Sequence, residues 1–237
     1  MKKVLIITHV EAEGPGTLGD FLQSFEDLKI QRAKLYNGEK LPDDARSFDA
    51  IVTMGGPMNV HDEDEYPFLK EETKFLKQAI DANIPILGIC LGAQMIAKAC
   101  YAPVNKAFEK ELGWKNVSLT DSGRRDILFQ GITDKMRVFQ WHEDTFEIPY
   151  GGSLLATSEE CPNQAFRYGN AYGLQFHIEI TREMLIEWMT NLPECGESIH
   201  IYERIKHNLH TQARMIYANF LWLTDICRKS AGSRREL

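Results

Sequence analysis

Apolar and polar positions in the first hundred residues follow two rhythms, one suited to buried strands and one to helices. Val4 to Thr8 is an apolar, β-branched run and predicts a first strand. After the loop Gly14-Pro15-Gly16, Leu18, Phe21, Leu22 and Phe25 fall at helical spacing. Ile30 to Tyr36 alternates as a second strand, and Asp49 to Met54 makes a third, ending in Gly55-Gly56-Pro57. Phe68, Leu69, Phe75, Leu76, Ala79 and Ile80 form the stripe of a helix. Ile84 to Ile89 is then almost continuously apolar, which is the pattern of a parallel strand buried on both faces. Leu91 to Ala99 is rich in Ala, Leu and Met, so the chain passes from strand to helix at Cys90. This alternation predicts an α/β fold: a doubly wound, mixed but largely parallel sheet flanked by helices, with right-handed crossovers. Ligand sites of such sheets lie beyond the carboxyl ends of the strands, where both Cys90 and Gly55-Gly56 are expected.

From about residue 111 the rhythm changes. Trp114 to Leu119, Met136 to Trp141, Ser153 to Thr157, Gln164 to Tyr168 and Ala171 to Phe176 are short runs separated by turn residues, and predict consecutive strands, several of them antiparallel. Past Glu179 the pattern is helical, first over Thr181 to Met189 and then from about Glu197 to Arg228. The stripe Ile199, Tyr202, Ile205, Leu209, Ile216, Phe220, Leu223 and Ile226 needs a surface to cover, either the main domain or another subunit. The expected organisation is a catalytic domain over residues 1–190 and a C-terminal helical extension over 191–237, with a disordered tail from Ser230.

The chain has 237 residues, enough for a full core, and 27 Lys and Arg against 34 Asp and Glu give a formal charge of -7. That balance argues against a nucleic-acid or anionic-membrane surface as partner. The opening Met-Lys-Lys is followed by an apolar run too short for a signal peptide and then by His9, Glu11 and Glu13. No stretch reaches the ~18 apolar residues of a membrane span, so a soluble, cytoplasmic protein is expected. Five cysteines, at 90, 100, 161, 195 and 227, are scattered without C-x-x-C spacing. They encode neither a disulfide framework nor a zinc ribbon, and no metal or cofactor is expected.

Cys90 sits between Gly88 and Gly92. A sharp strand-to-helix elbow strains its central residue and brings chain close on both sides, so the positions two before and two after must lack a Cβ. A thiol at a helix N-terminus also gains from the unpaired N–H groups there, and the Leu91 N–H points where an oxyanion would form. The blander alternative is a small buried hydrophobe between two packing glycines. Gly-x-Cys-x-Gly arises by chance in roughly one chain in forty of this length. A nucleophilic cysteine needs a base and an orienter for that base. His177 and Glu179, two apart in a predicted strand, share a face, so the carboxylate can fix the imidazole. Gly55-Gly56-Pro57 is either an ordinary turn or a loop whose Gly56 N–H joins Leu91 N–H in an oxyanion hole.

Gly-Ile-Cys-Leu-Gly-Ala-Gln at 88–94, Met-Gly-Gly-Pro-Met at 54–58, Trp-His-Glu-Asp at 141–144 and Gln-Phe-His-Ile-Glu at 175–179 together resemble the class I glutamine amidotransferase domain, with its flavodoxin-like sheet. The likeness covers about residues 1–190 and is nearest to the glutaminase part of GMP synthase. It implies that Cys90 attacks the side-chain amide of glutamine to form a γ-glutamyl thioester and release ammonia. It implies also that His177 moves the proton, Glu179 holds His177, and Gly56 and Leu91 supply the oxyanion hole. Gln94 and Gly55 would contact the bound glutamine, and the backbone near Trp141 and His142 would complete the pocket.

The chain departs from the family at Ile178, where Pro is usual, and contains no Gly-rich ATP-binding loop. An ammonia acceptor is therefore expected on a separate synthase or acceptor-binding subunit, or there is none. Two other functions fit the residues: a γ-glutamyl hydrolase or peptidase acting on a larger γ-glutamyl amide, and a non-catalytic regulatory protein of the same fold. His200, His207 and His210 read as a solvated helical face, with no metal site. His9 and His61 lie near the predicted active edge and receive no role. The run Asp62 to Glu65 reads as a solvated turn and helix N-terminus.

Overall fold

In the computed structural model, residues 1–224 are described, and the expectations at Ile226, Cys227, Arg228 and the tail lie outside them. The chain runs β1 (Lys2–Thr8), α1 (Gly16–Gln23), β2 (Leu28–Lys34), β3 (Ala50–Thr53), α2 (Phe68–Asp81), β4 (Ile86–Ile89) and α3 (Leu91–Ala99). It continues with β5 (Val104–Leu119), α4 (Asp121–Arg125), β6 (Lys135–Phe146), β7 (Ser153–Thr157), β8 (Ala165–Tyr168), β9 (Ala171–Leu174), α5 (Arg182–Met189) and α6 (Cys195–Trp222). The strands form one sheet in the order β2-β1-β3-β4-β9-β8-β7-β5-β6. The pairs from β2 through β4 to β9 are parallel and the rest antiparallel, which gives the mixed, largely doubly wound sheet the periodicity predicts.

Alternate residues of β1 show how the sheet is buried. Val4 and Ile6 face a core shared with Leu18, Phe21 and Leu22 of α1, whereas Leu5 and Ile7 face one shared with Leu69 and Leu76 of α2 and Ala93 and Ile96 of α3. Both faces exclude water, so β1 and β4 read as continuous apolar runs. The stripe of α6 covers the main domain: Ala213, Ile216, Tyr217 and Phe220 join the α1 core, and Tyr202 and Leu209 pack with Trp114, Phe139 and Leu185. Among the described residues, no helix is long and apolar enough to cross a membrane.

Four local expectations need correction. β5 begins at Val104 and β6 continues to Phe146, well outside the predicted Trp114 and Trp141 limits, because these strands pair along most of their length. A register shift between Lys106 and Glu111 throws out residues 107–110, leaving Phe108 exposed and hiding the strand from a period-two search. β9 stops at Leu174, so His177 and Glu179 are not on a regular strand; His177 instead makes an isolated bridge to Phe139. The run Asp62 to Glu65 precedes α2 without starting it: Asp62 accepts from the Asn59 N–H and Glu63 pairs with Lys98 at 2.6 Å.

Candidate active site

The elbow at Cys90 is strained in the way its neighbours demand. Cys90 caps α3 with φ 51° and ψ −109°, a left-handed conformation that costs a non-glycine residue about 1–3 kcal/mol. A Cβ at Gly92 would stand 2.1 Å from the Thr53 carbonyl oxygen, and one at Gly88 would stand 2.5 Å from the Gly92 backbone. Each overlap is with main chain that cannot step aside, so the two glycines let β3, β4 and α3 meet at the thiol. Backbone bonds lock the turn, from Cys90 N–H to Leu174 O at 2.8 Å and from Gly92 N–H to Met54 O at 3.0 Å.

His177 and Glu179 come to the same place by a different route. The His177 bridge to Phe139 carries the chain past the end of β9, and His177 Nδ1 meets Glu179 Oε1 at 2.7 Å with both side chains buried. Burial alone would depress the imidazole's proton affinity. The Glu179 carboxylate and the adjacent Cys90 outweigh it and raise the His177 pKa well above its ordinary 6.5. The second Glu179 oxygen accepts the Ile178 N–H at 3.0 Å, a bond that a proline there could not donate.

Cys90, Gln94, Gly56, Trp141 and His142 line one cavity of about 390 Å³, together with Asn59, Lys106 and Asp144. The Cys90 sulfur lies 3.7 Å from the Trp141 carbonyl and accepts from Gln175 Nε2 at 3.7 Å. Gln94 Nε2 donates to Asp144 O at 3.1 Å and Gln175 Oε1 at 3.2 Å, which fixes the side-chain amide at the cavity wall. Among the described residues, neither the Gly56 nor the Leu91 N–H has a protein acceptor. Gly55 lies just behind the wall, buried, with His177 and Glu13 against it.

The ring of His142 is turned away from any ligand. Its Nδ1 lies 3.0 Å from Asp144 O and its Nε2 lies 2.8 Å from Glu111 Oε2, so neither ring nitrogen is free to meet one. Glu111 also accepts from Gln164 at 2.6 Å and from Ser158 at 3.3 Å. Glu111, His142 and Cys161 bring an oxygen, a nitrogen and a sulfur within 4.8 Å of one another, yet each atom already has a hydrogen-bond partner in the protein. The cluster is a polar core that braces residues 142–144.

Two carboxylates with no expected role, Asp144 and Glu13, also lie here. Asp144 is placed in the cavity with Oδ2 held by Asn59 at 2.7 Å, while Oδ1 is buried with no hydrogen-bond partner and has Lys106 Nζ 3.4 Å away. Its signal was its place in Trp-His-Glu-Asp. Glu13 lies over Gly55, where burial, first, and the Glu179 charge raise its pKa against the pull of His177 and His9. His9 is fully enclosed behind the same turn. His61 is exposed and meets Val104 O at 3.3 Å. His200 and His207 are solvated as expected, whereas His210 is half-buried against the Tyr202 hydroxyl.

The model of one family, glutamine amidotransferase class-I, matches residues 22–185. A glutamine amidotransferase-like protein of Salmonella typhimurium, YfeJ, is 35% identical over 187 residues, covering 76% of this chain and 77% of the relative. The glutamine-hydrolysing GMP synthase of Thermosipho melanesiensis is 34% identical over 174 residues, which is 68% of this chain but 32% of that enzyme, so the match spans about a third of its length. The crystal structure of a glutamine amidotransferase from Thermotoga maritima superposes with a TM-score of 0.85 at 33% identity, covering 92% of this chain and 97% of that one.

Proposed function

Because the chain belongs to the class I glutamine amidotransferase family, we propose that it hydrolyses the side-chain amide of glutamine through a thioester on Cys90. The observation that carries this is the strained cysteine at the head of α3 beside a buried His177–Glu179 pair. His177 takes the thiol proton as Cys90 sulfur attacks the amide carbon, and the carbonyl π pair moves to oxygen. The Gly56 and Leu91 N–H groups, which lack protein acceptors, stabilise that oxyanion. His177 then protonates the nitrogen, the C–N bond breaks and ammonia leaves. Water, deprotonated by His177, attacks the thioester, giving glutamate and the free thiol. Glu179 holds the imidazole tautomer and stabilises its positive charge throughout.

Glutamine also carries an α-ammonium and an α-carboxylate. The buried Asp144 Oδ1, which has no hydrogen bond and only the 3.4 Å ion pair with Lys106, suits the former, and Lys106, at the cavity rim, the latter. Gln94 and the backbone of Trp141 and His142 shape the remaining wall, while Gly55, buried behind it, makes no contact with the cavity. Residues 1–190 form the catalytic unit in this scheme, with α6 as its buttress, and a separate synthase or acceptor-binding subunit receives the ammonia. The test is release of ammonia and glutamate from L-glutamine by the purified chain, abolished in Cys90→Ala. Turnover of a larger γ-glutamyl amide, with none of glutamine, overturns it.

A further inference from the structure

A buried pair beneath the Gly55-Gly56 turn has no part in the scheme above. His9, just past β1, is fully enclosed; its Nδ1 lies 3.0 Å from Gly55 O and its Nε2 lies 2.7 Å from Glu72 Oε2. Glu72, on α2, is equally buried, and its other oxygen accepts the Thr53 hydroxyl at 2.6 Å. A carbonyl oxygen can only accept, so His9 Nδ1 carries a hydrogen and donates it to Gly55, whatever the charge on the ring.

The consequence lies on the far side of the same peptide. In a trans peptide the C=O and N–H of one unit point in opposite directions, and among the described residues there is no cis bond. The Gly55 carbonyl directed at His9 therefore turns the Gly56 N–H away from His9. Two adjacent glycines have no Cβ to restrict rotation of the peptide between them, so its orientation depends on hydrogen bonds to its ends. Just upstream, Met54 O is tied to Gly92 N–H at 3.0 Å, which anchors the entry to the turn on α3.

We propose that His9, held by Glu72, is a positioning residue that fixes the Gly55–Gly56 peptide so that the Gly56 N–H faces the oxyanion formed on Cys90. This rests on the amidotransferase reading and deepens it. Burial by itself lowers the proton affinity of His9; the charge and hydrogen bond of Glu72, the Gly55 carbonyl and the charge of Glu13 together raise it, which suits a ring that donates from both nitrogens. The competing role is packing alone, since His9 Cβ would lie 3.0 Å from a Cβ on Gly56.

The two roles separate in kinetics. His9→Leu combined with Glu72→Leu removes the donor without burying an unpaired charge. Its kcat for glutamine should fall about 10–100-fold, with KM within about threefold, because only transition-state stabilisation is lost. Alkylation of Cys90 by iodoacetamide, which forms no oxyanion, should stay within about twofold. His9→Asn, whose amide reaches the Gly55 carbonyl, should keep most of kcat, whereas His9→Gln, whose amide reaches toward Glu72, should lose about tenfold. The Asn and Gln pair decides the question if the leucine pair does not fold. Equal kcat for Asn and Gln, unchanged kcat in the leucine pair, or kcat and alkylation falling in proportion each overturn the positioning role. A wild-type chain that releases no ammonia overturns the amidotransferase reading itself, and this inference with it.

Discussion

The indole of Trp188 closes edge-on against the imidazole of His177, with ring centroids 4.9 Å apart and planes at 70°. Its Nε1 donates to Ala12 O at 2.9 Å, so a single side chain of α5 ties the loop carrying Glu13 to the imidazole beside Cys90. Phe139 and Trp141 pack on the same indole. The C-terminal helices thus brace His177, since α6 packs on the α5 that carries Trp188.

Trp188→Ala should therefore lower kcat about 5–50-fold and stability by about 2–3 kcal/mol, the loss expected for a half-buried aromatic. Trp188→Phe should recover most of the stability while lacking the bond to Ala12. Steady-state kinetics and urea denaturation of the two variants check this, and an unchanged kcat in Trp188→Ala denies α5 any part in holding His177.

Asp144→Asn should raise KM for glutamine about 10–100-fold with little change in kcat, the effect of losing one charged hydrogen bond to the substrate. Glutaramic acid, which is glutamine without its α-amino group, should be turned over equally by both proteins. An unchanged KM in Asp144→Asn contradicts the assignment of the α-ammonium to this carboxylate.

The His9–Glu72 pair makes a pH-dependent contribution to stability. His9 has its folded pKa raised above 6.5, chiefly by Glu72 against the effect of burial, and Glu13 is the other charge acting on it. A raised pKa means the folded state holds the proton more tightly. The contribution is thus complete below the unfolded value and is lost as pH rises through the folded one. Glu72→Gln should cost about 1–3 kcal/mol near pH 6 and distinctly less near pH 9. Urea midpoints of the two proteins at both pH values measure the gap, and a gap that does not narrow contradicts a charged His9.

How far the chain can be read from its residues depends on how local the cause is. The elbow at Cys90 is legible because its causes adjoin it: an apolar run, two glycines and a helical continuation. The partnership of His177 and Glu179 is legible as spacing, although the geometry comes from a bridge to Phe139 and not from the regular strand expected. Asp144 is visible in sequence only as the last residue of Trp-His-Glu-Asp, and Glu111 carries no signal at all. Their burial follows from the antiparallel pairing of β5 with β6, with residues 107–110 looped out, and no local pattern announces a register shift. His9 and Glu72 are 63 residues apart, so the pair exists only once α2 has packed on the sheet.

The central claim is a covalent γ-glutamyl thioester on Cys90, and trapping it tests that claim most directly. The wild-type chain, turning over glutamine labelled in its carbon skeleton, is quenched in acid and digested. Label should appear on the peptide containing Cys90, be released by hydroxylamine, and be absent from Cys90→Ser. Glutamate formation with no label on that peptide, or with label on another cysteine, would contradict the mechanism.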